Sequence, residues 1–370
     1  FVTGMTGGSL DGNTNAGVDD IFLTKWNADG TKSWTKQWGT SSDDYGSSVA
    51  VDSSGNIFVT GSTAGSLDGN INAGGFDIFL TKWNSDGTKQ WTKQWGTSSV
   101  DRGYSVAVDS LGNIFATGYT FGSLDGSTSA GNYDIFLTKW NSDGTKAWTK
   151  QWGTSKNDSG NSVAVDSSGN IFVTGYTAGS LDGNTSAGSE DIFITKWNAD
   201  GTKAWTKQWG TSSVDRGYSV AVDSSGNIFV TGMTGGSFFG DINAGGFDIF
   251  LTKWNSDGTK VWTKQWRTDE YDSGNTVAVD SSGNIFVTGR TSGYLDGNTR
   301  AGLADIFLTK WNYNGTKAWT KQWGTSSTDY GNSVAVDSSG NIFVTGMTGG
   351  SLDGNTSAGG NDIFLIKWIQ

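Results

Sequence analysis

Apolar and polar positions alternate along this chain in short runs that recur in a fixed order. In residues 45 to 101 the run "SSVAVD" (47 to 52) is followed by "SSGN", then "IFVTGST" (57 to 63), a long Gly/Asn/Ser stretch, "DIFLTKWN" (77 to 84), "SDGT" and "KQWTKQWG" (89 to 96). Alternation with period two, in β-branched and aromatic residues bounded by turn formers, predicts four strands joined as two hairpins, the second through an Asp-Gly turn. Successive side chains of a strand point to opposite faces. In "DIFLTKW", Ile78 and Leu80 therefore take one face while Phe79 and Trp83 take the other, so both faces are apolar. Such a sheet is expected to be covered on both sides. The first strand carries small Ala50 between Val49 and Val51, as suits an innermost strand, and the fourth carries Lys and Trp, as suits an outer edge where charge discourages strand addition.

The pattern repeats. Phe1, Phe58, Phe115, Phe172, Phe229, Phe286 and Phe343 occupy equivalent places in an "IFVTG"-like run, and each step is 57 residues. Four short antiparallel strands per 57 residues predict the blades of a β-propeller, an all-β fold, with residues 1–370 forming one propeller domain. Strand counting gives 26, with the first blade lacking its inner strand and the last its outer one. Seven four-stranded blades are the favoured count, and six remain open. The chain begins with Phe1 in mid-repeat and without Met, so residue 1 is not expected to be where translation starts.

The 19 Trp fall at three places in the repeat: after Lys in the third strand (Trp26 to Trp368) and on either side of "TKQ" in the fourth (as Trp34 and Trp38). Sugar stacking and packing between blades both use such rings, and regular placement in every unit favours packing. At this point "WTKQWGTSSDDYGSSVAVDSSGNIFVTG" (34 to 61) resembles the bacterial SBBP-type β-propeller repeat, with its Trp-rich strand, Gly-Ser-Asp loop, "AVDSSGN" and "VTG" strand. The resemblance spans essentially the whole chain. It implies a secreted or surface-exposed protein and no particular activity.

Composition removes several kinds of chemistry. There is no Cys, so no disulfide, thiolate metal site or cysteine nucleophile. There is no His either, which removes the commonest general base, the usual transition-metal ligand and every Ser-His-Asp triad. Glu occurs only as Glu190 and Glu270, leaving acid chemistry to Asp. A net charge of -11 argues against nucleic acid or an anionic membrane surface as partner, and no stretch is apolar for long enough to insert in a bilayer as a helix.

Two features remain as candidate sites, both in the longer loops. In "LDGNTNAGVDD" (10 to 20), Asp11, Asn13, Asn15, the Gly17 carbonyl and Asp20 offer oxygens in the alternating order of a Ca²⁺ loop. Asp68, Asn70, Asn72, Gly74 and Asp77 repeat the set, as do Asp182, Asn184, Ser186 and Asp191, and Asp353, Asn355, Ser357 and Asp362. With two carboxylates and no bidentate Glu, any affinity should be weak, roughly 10⁻⁴ to 10⁻³ M. A polar turn in which Asp and Asn cap their own backbone explains the same residues. The repeat at Asp125 is poorer, and those with Phe239 and Arg300 at ligand positions are expected to bind no metal. A second recurring acid, Asp44 with Asp101, Asp158, Asp215, Asp272 and Asp329, reads as a turn former, because catalysis needs two carboxylates to converge.

Most differences between repeats lie in the long loops, where binding commonly resides on a rigid scaffold. Tyr45, Arg102, Tyr104, Arg216, Tyr218, Tyr271 and Tyr330 are the candidate ligand contacts there. These features favour a non-enzymatic extracellular or cell-surface scaffold or adhesion propeller that binds a glycan or protein. The alternative is a structural unit of a larger assembly, joined to copies of itself through incomplete terminal blades.

Overall fold

A computed structural model describes residues 1–238 and 245–369. Among them are 26 strands in seven antiparallel sheets, five of four strands and two of three. The fold is an all-β propeller of seven blades, with its first and last blades short of one strand each. In the second blade the strands are Asp44–Val51, Ile57–Thr63, Asp77–Trp83 and Lys89–Trp95, hydrogen-bonded in chain order. The three-stranded first blade, Val2–Thr6, Asp20–Trp26 and Lys32–Trp38, lacks the counterpart of the first of these, and the last, Asp329–Val336, Ile342–Thr348 and Asp362–Trp368, lacks the fourth.

The chain divides into two compact units, Phe1–Asn184 with Thr195–Thr206 and Thr185–Ile194 with Lys207–Gln370. Each builds its core in the same way. In the first unit, Phe79 and Trp83 pack back onto Ile21, Leu23 and Trp38 of the preceding blade, while Ile78 and Leu80 pack forward onto Ile114, Ala116 and Phe136 of the next. In the second unit, Ile249, Leu251 and Trp266 meet Ile285, Val287, Phe307 and Trp311. The middle strands are sealed because both of their faces are covered: Ile57, Phe58, Val59, Ile78, Phe79 and Leu80 have no exposed surface. Burial on this scale, about 1.5–3 kcal/mol per large side chain, is what holds the sheets together.

The tryptophans pack between blades. Trp38 meets Trp83 with ring centroids 4.9 Å apart, Trp95 meets Trp140 at 5.1 Å, and in the second unit Trp209 meets Trp254 at 5.0 Å and Trp266 meets Trp311 at 5.0 Å. Each pair is tilted, the arrangement that aromatic quadrupoles prefer. A lysine covers the pair from outside: Lys89 Nζ lies 5.5 Å from the centroid of Trp38 and 5.3 Å from that of Trp83.

Two irregularities recur. The first strand of each complete blade bulges by one residue, as between Gly103 and Ser105, which pair with Gly118 and Thr117 and leave Tyr104 as the extra residue. A Cβ on Gly118 would overlap the Arg102 carbonyl oxygen, so this close approach requires glycine. In the long loop, Asp11, Asp68, Asp125, Asp182, Asp296 and Asp353 take left-handed backbone conformations, with φ between 48° and 51°. Asp tolerates that region better than most residues, because its short side chain finds local partners.

Candidate functional site

Those partners show what the candidate metal loop does. The Asp11 carboxylate accepts from Lys32 Nζ at 2.5 Å and from the Thr35 hydroxyl at 2.5 Å; Asp68 does the same with Lys89 and Thr92, and Asp182 with Lys203 and Thr206. The Lys32 bond and the Thr35 bond hold the Asp11 carboxyl below its ordinary pKa. The Asn13, Asn70, Asn184 and Asn355 amides donate to the carbonyls of Leu10, Leu67, Leu181 and Leu352. Asn15 donates to the Gly17 carbonyl and Asn72 to Ala64, while the Ser186 and Ser357 hydroxyls donate to Gly188 and Gly359. Gly17 and Gly74 sit where a Cβ would strike Thr40 and Thr97 backbone.

The closing acids look inward. Asp20 Oδ2 accepts from the Ala16 N–H and Gln37 Nε2, Asp77 and Asp191 repeat the arrangement, and Asp362 accepts from Ala358 N–H. Asp20, Asp77 and Asp191 have no exposed surface, whereas the Asp11 side chain is one-third exposed. The two acids of a loop thus serve different partners, the arrangement of a polar turn. Among the described residues no group of three or more metal-binding side chains gathers. Arg300 donates to the Gly302 and Leu303 carbonyls, and Phe239 lies outside the described residues.

The other recurring acid is a buried turn former: Asp44 Oδ2 accepts from the Thr40 N–H at 2.5 Å and its hydroxyl at 2.9 Å. Burial raises its pKa, against the lowering effect of Thr63 and Thr40.

The candidate ligand contacts fall at the long-loop ends of the blades and form clusters. In the first unit the Arg102 guanidinium lies 4.0 Å from the centroid of Phe76 and 5.6 Å from that of Tyr45, and those two rings stack at 5.6 Å. Tyr104, presented by the bulge, meets Tyr119 at 5.6 Å; Tyr119 meets Tyr133 at 4.8 Å; and Phe121, 41% exposed, meets Tyr133 at 4.9 Å. Burial pushes the Tyr104 hydroxyl well above its ordinary pKa.

In the second unit Arg216 forms a two-pronged ion pair with Glu190. Tyr218 and Tyr271 each donate to Met233 Sδ at 3.1 Å, and the Arg290 guanidinium lies 4.1 Å from the Tyr271 centroid and 4.8 Å from that of Tyr330. Burial pushes the Tyr218 hydroxyl up to about 12.

Sequence reasoning named the loop members of these clusters and missed Phe76, Phe121, Tyr133, Tyr119, Met233 and Arg290, together with Tyr176, whose hydroxyl lies 3.4 Å from that of Tyr133, and Phe247, whose ring centroid lies 5.3 Å from that of Tyr271. Half of them lie in or at the end of the second strand, where they read as framework. Column-by-column comparison of the repeats could have found them. The third strand is "DIFLTKW" in five of seven repeats, yet the position of Tyr119 holds Met5, Ser62, Tyr176, Met233, Arg290 and Met347 elsewhere.

A profile described as beta-propeller repeat, SBBP, matches residues 33–68, 90–125, 147–182, 204–239, 261–295 and 318–353. The chain belongs to the SBBP family. This SBBP chain is 24% identical, over 90% of its length and 31% of the relative's, to an uncharacterized WD repeat-containing protein, L264, of Acanthamoeba polyphaga mimivirus. It is 26% identical, over 56% of its length and 25% of the relative's, to the regulatory protein FlaEY of Caulobacter vibrioides. It thus spans a third or less of these relatives. Among solved structures it is similar to a gluconolactonase of Xanthomonas campestris, at 14% identity, TM-score 0.45, covering 89% of this SBBP chain and 87% of that one.

Proposed function

We propose that this chain is a non-enzymatic recognition propeller, acting outside the cell or at its surface, that binds a glycan or a protein through the long-loop ends of its blades. One observation carries the reading. In repeats that otherwise nearly coincide, eight of the ten Tyr (Tyr45, Tyr104, Tyr119, Tyr133, Tyr176, Tyr218, Tyr271 and Tyr330) and three of the five Arg (Arg102, Arg216 and Arg290) stand at positions that vary from repeat to repeat. Tyr and Arg are the residue types that dominate binding hot spots, because they offer large contact area with few rotatable bonds and directed hydrogen bonding. A scaffold that only had to fold would use its framework residue at each position.

The carboxylates that do come together, such as Asp20 and Asp44, have no exposed surface, so no substrate reaches them. That supports recognition over acid–base catalysis.

The test uses the protein's own repeats as a source of replacements. Tyr104→Ser and Tyr119→Ser install the residues that the second repeat carries as Ser47 and Ser62. The double variant removes two half-buried rings and is expected to lose about 1–3 kcal/mol of stability; assayed below its melting transition, it is expected to lose binding to whichever glycan or protein an array identifies for the wild type. Unchanged binding by this variant and by Arg102→Ser would refute the assignment. Silence on the arrays together with concentration-dependent light scattering would favour assembly with copies of itself.

A further inference from the structure

Five places in the chain bury two aspartates against one glycine, and in four of them nothing offsets the paired charge. Gly39 lies between Asp20 and Asp44: a Cβ there would overlap Asp20 Oδ1 and come within 2.9 Å of Asp44 Oδ2. Gly96 has the same relation to Asp77 and Asp101, Gly153 to Asp134 and Asp158, and Gly210 to Asp191 and Asp215. None of these eight aspartates has exposed surface, and among the described residues no lysine or arginine forms an ion pair with them. The Oδ1 atoms of Asp20, Asp77, Asp134 and Asp191 are buried without a hydrogen-bond partner. Asp44 Oδ1 is likewise unpartnered, and neutral donors serve the Oδ2 atoms: the Ala16 N–H and Gln37 for Asp20, and the Thr40 N–H and hydroxyl for Asp44. Two like charges brought together away from water are costly to keep ionised without a compensating cation.

The remaining two junctions show how that demand is met. At the fifth, glycine is replaced by Arg267, whose guanidinium lies 3.8 Å from Asp248 Oδ2. At the sixth, where Gly324 lies between Asp305 and Asp329, the Gly302 N–H donates to Asp305 Oδ1 at 2.9 Å, so the oxygen orphaned elsewhere is satisfied.

We propose that each of the first four glycine-lined pairs is a binding site for one proton, held between its two carboxylates above the pH at which a free carboxyl gives it up, and that Arg267 supplies the corresponding positive charge at the fifth junction. The pair, not either residue, is the titrating unit. In support, burial raises the carboxyl of Asp44, Asp101, Asp158 and Asp215, and the charge of the facing Asp20, Asp77, Asp134 or Asp191 adds to it. At the fifth junction burial pushes Asp248 up to about 6 while the Arg267 charge acts the other way.

The sign follows from linkage. A carboxyl whose folded pKa lies above its unfolded value contributes stability that is fully present below the unfolded pKa, about 3.9, and is lost as pH rises through the folded pKa. The chain has no His, the side chain that ordinarily changes charge between pH 5 and 8.

The experiment compares unfolding midpoints from pH 5 to 8, with ¹³C carboxyl NMR of Asp. Wild type is expected to be more stable at pH 5 than at pH 8. The set Asp44→Asn, Asp101→Asn and Asp158→Asn, which imitates the protonated state, should flatten that dependence step by step. Arg267→Gly should steepen it and move the Asp248 titration upward. The proposal is overturned if Asp77 and Asp101 both titrate in the ordinary carboxylate range. It is also overturned if Asp101→Asn lowers the midpoint equally at pH 5 and pH 8, or if Ca²⁺ raises the wild-type midpoint at pH 7.5 but not that of Asp101→Asn, which would make the sites metal sites.

Discussion

Replacing Lys89 by Met tests whether the lysines over the tryptophan pairs hold the blades together or merely decorate them. The Lys89 ammonium faces Trp38 and Trp83 at 5.5 and 5.3 Å and reaches Asp68 Oδ2 at 2.7 Å, with the lysine side chain about one-quarter exposed. A partly exposed cation over one ring contributes roughly 0.5–1 kcal/mol, so two rings give about 1–2 kcal/mol. The ion pair, open to solvent on both sides, adds about 0.5 kcal/mol. Met keeps most of the apolar stem, so the loss isolates the charge and should total about 1.5–2.5 kcal/mol. The assay is denaturant unfolding followed by Trp fluorescence, at low salt and in 1 M NaCl, beside Asp68→Asn. Salt screens the exposed ion pair, leaving the ring contacts largely in place. Lys89→Met should therefore remain destabilising by at least about 1 kcal/mol in high salt, and Asp68→Asn should not. A Lys89→Met protein within about 0.5 kcal/mol of wild type, or a loss that vanishes with salt, refutes the cation–π account.

Three further outcomes are expected. Gly118→Ala drives a methyl into the Arg102 carbonyl and should cost about 3 kcal/mol or prevent folding, whereas Gly8→Ala, with open space around it, should stay within about 0.5 kcal/mol by thermal melting. Asp11→Asn should lower stability at pH 7 by up to about 1 kcal/mol, discounted for exposure. Because the Asp11 carboxyl is held below its ordinary pKa, its contribution is present above the unfolded value and lost as pH falls, so the gap from wild type should close in melts taken toward pH 3. Excess Ca²⁺ at 10 mM should leave the melting midpoint where chelator leaves it, since the loop oxygens already have internal partners; a site with a dissociation constant near 1 mM would instead add about 1.4 kcal/mol.

The strands were legible because each carries its own period-two pattern and the pattern recurs at a constant step. Phe79 and Ile78 declare their opposite faces locally, and the structure buries both. The blade count followed from the same counting. What stayed illegible depends on contacts far apart in sequence. The loop "LDGNTNAGVDD" contains the oxygens of a cation site, and only the return of Lys32 and Thr35 to Asp11 shows where one of its carboxylates points. Tyr104 looks like an ordinary strand residue until the bulge after Gly103 sets it out of register.

The convergence of Asp20 with Asp44 belongs to the same class, and its physical origin explains why it recurs. Each acid stands at the entrance of a strand, one opening the third strand of a blade and the other the first strand of the next, and each caps the turn that precedes it. Both caps are locally favourable, so both are found in every repeat. Stacking blades then brings the two caps together around the glycine that lets the chain pass. A like-charge contact is thus a by-product of two good local choices. The sequence compensates it at the fifth junction with Arg267 and at the sixth with one more backbone donor. Where neither device is present, a proton is the smallest cation that fits a site with no room for a side chain.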